Sequence, residues 1–218
     1  MIPPPMEPLT DRFYAAFALD PDRLRTPNGP DVPLDMLTGD KEPPPWVSWR
    51  VVPGRLARET FKEWEEEHGV HLPESFRGWF LARHTLAVDC GILRLACSPS
   101  NKPFADLDEL LEWDEEPIRA REIFPIGDEA LYKAGPLCLD LRGKTGEPPV
   151  VYWNADAQEI SPPVFSSFPK LLELTAFAME TGLKLFEDEA VLTQFLALDP
   201  EGAGGPGAAY WRGEGPDE

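Results

Sequence analysis

Positive charge is what this chain most lacks. Lysine and arginine total 20 against 39 aspartates and glutamates, giving a formal net charge of -19. A surface of that sign repels phosphate backbones and anionic headgroups, which argues against nucleic-acid and membrane partners. It attracts basic proteins, although acidity also serves solubility alone. Cysteine is sparse and odd in number: Cys90, Cys97 and Cys138, with no CxxC spacing. Thiols so placed fit a reducing compartment and act as small apolar groups. No apolar run approaches the roughly 20 residues of a membrane span. The opening Met1-Ile2-Pro3-Pro4-Pro5-Met6 has neither the basic nor the apolar segment of a secretory signal, so a cytoplasmic protein is expected. GxSxG and HExxH are both missing, which removes common signatures of hydrolases and zinc proteases.

What is present suffices for a real core: 42% hydrophobic and 11% aromatic residues. Three regions follow from composition. Residues 1–50 read as a proline-rich N-terminal extension lying on the domain surface, with one short helix over Phe13–Leu19 capped by Thr10 or Asp11. Residues 51–199 read as the folded domain. Residues 200–218, opening with Pro200-Glu201-Gly202-Ala203-Gly204-Gly205-Pro206-Gly207, read as a flexible tail.

At the start of the domain, Trp46 to Val52 is apolar and β-prone, an edge-strand candidate that spans the boundary. Ala57, Phe61, Trp64 and His68 share one helical face, with Glu63, Glu65, Glu66 and Glu67 on the others and Gly69 placed to end the helix. Pro73 opens a second helix, whose Phe76, Trp79 and Phe80 recur at helical spacing. Gly91 to Cys97 is a strand candidate. Asp106 to Trp113 is a short helix with Leu107, Leu110 and Leu111 inward. Ile123 to Trp153 then reads as a strand followed by a hairpin at the centre of a sheet. Leu137, Leu139 and Leu141 alternate with Cys138 and Asp140, which predicts one buried face. Ser166-Ser167-Phe168-Pro169 caps a third helix that Gly182 stops, and Asp188 to Leu198 forms a last one.

The chemistry-bearing candidates each have a plainer reading. Gly143-Lys144-Thr145 lacks the upstream glycine of a phosphate loop, Cys138 standing there instead, so it is a hairpin turn. His68 and His71 straddle Gly69, which breaks any helix that would align them on a metal. No metal site and no cofactor are expected. Cys90 or Cys97 with His84 could be drawn as a nucleophile pair, but nothing places them together and their neighbours are apolar. Asp128 suits a turn, and Asp140 lies on the less apolar face of its strand. The run Asp106, Asp108, Glu109, Glu112, Asp114, Glu115, Glu116 has no basic residue within it. It is a solvated face or a binding patch for a basic partner.

The stretch Trp64-Glu65-Glu66-Glu67-His68-Gly69-Val70-His71-Leu72-Pro73-Glu74-Ser75-Phe76-Arg77-Gly78-Trp79-Phe80-Leu81 resembles the opening of the SUKH superfamily, the domains related to the yeast Smi/Knr cell-wall-synthesis regulator. Ile123 to Gly127, Pro136 to Asp140 and Pro149 to Tyr152 look like its strands. Ser166 to Leu172 looks like its closing helix. The ordered set runs over residues 55 to 182. The resemblance implies an α+β fold, a mostly antiparallel β-sheet wrapped by helices, and a non-enzymatic protein-binding role. Many bacterial members are immunity proteins that neutralise a toxin, often a basic nuclease; the eukaryotic relatives are regulatory scaffolds. The expected partner is a basic toxin domain. The expected contact residues are Asp108, Glu112, Asp114, Glu115 and Glu116.

Overall fold

The computed structural model describes residues 6–39, 45–129, 135–143 and 146–214. Pro3-Pro4-Pro5, Pro43, Pro44, Lys144 and Thr145 lie outside the described residues. In chain order the elements are α1 (Met6–Phe17), β1 (Arg25–Pro27), β2 (Trp46–Ser48), β3 (Val52–Pro53), α2 (Arg58–His68), α3 (Glu74–Ala82), β4 (Arg83–His84), β5 (Val88–Asp89), β6 (Leu93–Leu95), α4 (Ala105–Leu110), α5 (Glu116–Arg119), β7 (Ile123–Glu129), β8 (Pro136–Asp140), β9 (Val150–Asn154), β10 (Glu159–Ile160), α6 (Phe168–Glu180), α7 (Glu189–Leu198) and α8 (Ala208–Trp211). The fold is α+β. Strands β5 to β10 form one six-stranded antiparallel sheet in the order β10-β9-β8-β7-β6-β5.

The central strands are buried on both faces, not on one. Phe124, Leu137, Leu139, Val150 and Tyr152 point into the main core with the helices. Ile123, Cys138, Val151 and Trp153 face the other way, into a smaller cluster closed by Ile118 of α5 and flanked by Trp113. Alternation of Leu with Cys and Asp suggested a wet second face. Cys138 is apolar enough to be covered, and α5 covers it. Only the strand's end is polar, where Asp140 pairs with Arg142 through contacts of 2.8 and 2.7 Å.

Strand β7 carries one extra residue. Pro125 sits opposite Cys138 and Gly127 opposite Leu137, so Ile126 bulges. A Cβ on Gly127 would stand 2.0 Å from the Arg94 carbonyl oxygen. Glycine is needed because β6 crosses that closely.

The N-terminal stretch is not a surface arm. Helix α1 begins at Met6, before the expected start, and Thr10 lies inside it, not at its cap. It packs on α6 and α3. Phe13, Phe17, Met36 and Trp49 are fully buried or nearly so within the main core. Burying four large apolar side chains outweighs the local preference of a proline-rich sequence for extended chain. The edge-strand candidate divides. Its β2 part pairs with β1 in a separate two-stranded ribbon, and Val52-Pro53 pairs with β4. The tail behaves likewise. Ala203 and Trp211 are buried, Trp211 stacks edge-on against Phe165 and Phe195, and its Nε1–H donates to the Val164 carbonyl at 2.9 Å. The expected flexible segment is thus packed through α8. Its glycines serve close approach: a Cβ on Gly202 would lie 2.0 Å from Ser166 N, and one on Gly204 2.0 Å from Leu196 O.

Candidate functional site

The joint between α2 and α3 is built from charge. Gly69 ends α2 in the left-handed conformation, with φ of 64°. The chain then turns through Val70-His71-Leu72 into Pro73, which caps α3 from outside it. Glu65 was expected on a polar helix face; it is buried, at 3% exposure. Its Oε1 accepts the Leu72 N–H at 2.7 Å and an Arg77 Nη2–H at 2.9 Å. Arg77 also donates to the Leu72 carbonyl at 3.1 Å and to Glu74 at 3.1 Å. Arg58 reaches Glu74 from the start of α2 and, with Arg77, holds that carboxyl below its usual range.

On α2, Trp64 is a platform. It stacks on Phe104 with ring centroids 5.3 Å apart and on His68 at 4.4 Å. Its Nε1–H donates to Asp108 Oδ1 at 2.8 Å. Asp106 accepts the Cys97 N–H at 2.9 Å. These two carboxylates fasten α4 to α2 and to the end of β6, while Leu107 is fully buried beneath them. The acidic segment from α4 to α5 is therefore a fixed ledge.

The five expected contact residues lie along this ledge but differ in what they have free. Asp108 is held by Trp64, with His68 Nε2 3.6 Å away. Asp114 and Glu116 are both gripped by Arg119, at 2.8 and 2.7 Å. Their side chains stay 83% and 77% exposed, so solvent screens both pairs. Glu115 accepts from Gln158 Nε2 at 3.2 Å. Glu112 is exposed. Arg119, three residues after Glu116, is a cation that lies beyond the acidic run in sequence; helical i, i+3 spacing is the signal that brings it back to the run.

A model of the SMI1/KNR4 family (SUKH-1) matches residues 56–174. The chain belongs to the SMI1/KNR4 family. A search of curated proteins returns no match. The SMI1/KNR4 stretch runs from just before α2 into α6, so it takes in the Glu65–Arg77 joint, the acidic ledge and the sheet. Helices α1, α7 and α8 fall outside the family match yet share its core.

The other candidates are occupied structurally. His84 Nε2 accepts the Arg55 N–H at 3.0 Å, which leaves Nδ1 to donate to the Ser98 carbonyl at 3.0 Å. Both nitrogens thus join backbone segments. Cys90, Cys97 and Cys138 are buried free thiols, and burial pushes each of them far from the thiolate form. His68 stacks on Trp64 while His71, beyond Gly69, is exposed. Asp140 is held below its usual range by Arg142. Asp128 lies opposite Arg94 in the sheet register. Among the described residues no group of three or more His, Cys, Asp or Glu is placed to hold a metal ion, and no described helix is long and apolar enough to cross a membrane.

Proposed function

We propose that this chain is a non-enzymatic, cytoplasmic protein-binding domain: an immunity protein that neutralises a basic toxin domain through the acidic ledge. One observation supports this most. The ledge is strongly acidic, exposed and rigidly mounted on the family's own framework. Rigid mounting lowers the ordering cost of association. A net charge of -19 steers a basic partner toward it and speeds encounter. Arg119 already shows how the ledge takes a guanidinium, bridging Asp114 and Glu116. An arginine or lysine of the partner takes a comparable place, with Glu112 and Glu115 beside it. An acidic cover over a basic active site blocks that site without any chemistry of its own.

The alternative is a regulatory scaffold of the Smi/Knr type, also acting by protein contacts. Family membership supports both roles, and the high acidity favours the first. The test is affinity purification of the tagged full chain from its native cell. The immunity reading expects one basic toxin domain, bound stoichiometrically and released by salt. Recovery of envelope-synthesis or regulatory proteins instead would favour the scaffold, and recovery of no specific protein would end both readings.

A further inference from the structure

Outside the family match, the C-terminal helices form a cleft of about 490 Å³. Leu185, Leu192 and Trp211 supply its apolar lining and are themselves nearly buried. Trp211 is immobilised by Phe165, Phe195 and its hydrogen bond to Val164. Phe186 also lines the cleft, and it is 51% exposed. Its position is imposed: Gly182 and Leu183 both have positive φ, 71° and 59°, and the short turn after them buries Leu185 while turning Phe186 outward. Glu187, Asp188 and Glu189 follow along the lining. Asp188 caps α7, accepting the Ala190 N–H at 2.9 Å. Against these carboxylates the lining holds one cation, Arg212, which forms no ion pair with another described residue.

We propose that this cleft is a second protein-binding site, which takes a partner segment carrying one large apolar side chain next to a lysine or arginine. The apolar side chain packs against the exposed Phe186 ring, over the floor that the nearly buried Leu192 and Trp211 give the cleft. The neighbouring cation faces the carboxylates of residues 187–189, whose charge exceeds that of Arg212, and Arg212 donates to a main-chain carbonyl of the segment. Charge complementarity selects this occupant over an acidic one. The site is separate from the ledge, so either can fail without the other.

The test uses the full chain and three capped pentapeptides, GKFRG, GEFEG and GKARG, followed by amide NMR. The expected result is that GKFRG shifts the signals of Phe186, Leu192 and Gly213, and that GEFEG and GKARG bind at least about tenfold more weakly. Phe186→Ala, and separately Glu187→Gln with Glu189→Gln, should each weaken GKFRG about fivefold or more without lowering the unfolding temperature, because all three side chains are exposed. Equal binding of GEFEG, shifts centred on α4 and α5, or no shift with any peptide would overturn the proposal. So would binding seen only after residues 215–218 are deleted, which would assign the cleft to the chain's own end.

Discussion

Glu65→Ala tests the joint on which the family's opening motif depends. The Glu65 and Arg77 side chains are only 4% and 14% exposed. Removing one member of a buried ion pair costs about 3–5 kcal/mol, because the other charge is left uncompensated. The Leu72 N–H also loses its acceptor. Arg77 is not fully stranded, however, since Glu74 and the Leu72 carbonyl still accept from it. The lower end of the range therefore applies, about 3 kcal/mol. For a chain of this size that lowers Tm by roughly 6–12 °C. Glu65→Gln keeps an acceptor for both donors and should cost about half as much. Replacing the pair together, Glu65→Leu with Arg77→Met, should cost less than Glu65→Leu alone. The assay is urea and thermal unfolding followed by circular dichroism. A loss below about 0.5 kcal/mol for Glu65→Ala, or strictly additive costs in the double variant, would refute the argument, since exposed carboxylates behave that way.

Three further outcomes follow from the packing. Gly127→Ala forces a methyl group against the Arg94 carbonyl and should cost about 2 kcal/mol or more in urea unfolding, with the β6–β7 pairing the first to lose amide-exchange protection. A chain lacking residues 1–45 removes Phe13, Phe17 and Met36 from the core and should give no cooperative unfolding transition; a native-like transition would show that α1 is dispensable. Glu147 belongs to the β8–β9 connection, where it accepts from the Ser75 hydroxyl, and burial raises its pKa above the usual carboxylate value. A raised carboxyl favours the folded state most below its unfolded pKa of about 4.5, and that contribution is lost as pH rises through the folded value. Glu147→Gln should therefore flatten the fall in stability on going from about pH 4 to 7, read by unfolding across that range.

The sheet was legible because β7 and β9 carry dense β-branched and aromatic residues, and β8 the alternation Leu137-Cys138-Leu139, between clear turns. The α2–α3 pair was legible from Phe61, Trp64, Phe76, Trp79 and Phe80, and its end from Gly69. What was not legible depended on long-range packing. Pro-rich and Gly-rich composition suggested loose ends, yet Phe13 and Trp211 are buried in them. A single large side chain outweighs several neighbours when a core receives it. The second sheet face was missed because it is covered by α5, distant from β9 in sequence. The ledge was visible as a run of acids, but its partition was not. Asp106 and Asp108 are used as fastenings, and Arg119 had to fold back to reveal how the ledge accepts a cation.

The most direct measurement of the central proposal is the association rate with the captured basic partner, as a function of salt, for the native chain and for the variant with Glu112, Asp114, Glu115 and Glu116 each changed to lysine. The native rate should fall steeply with salt, and the variant rate should be about 10- to 1,000-fold slower at low salt with little salt dependence left. Unfolding should be nearly unchanged, because the Arg119 pairs are screened. An unchanged association rate in the variant would remove the ledge from the interface.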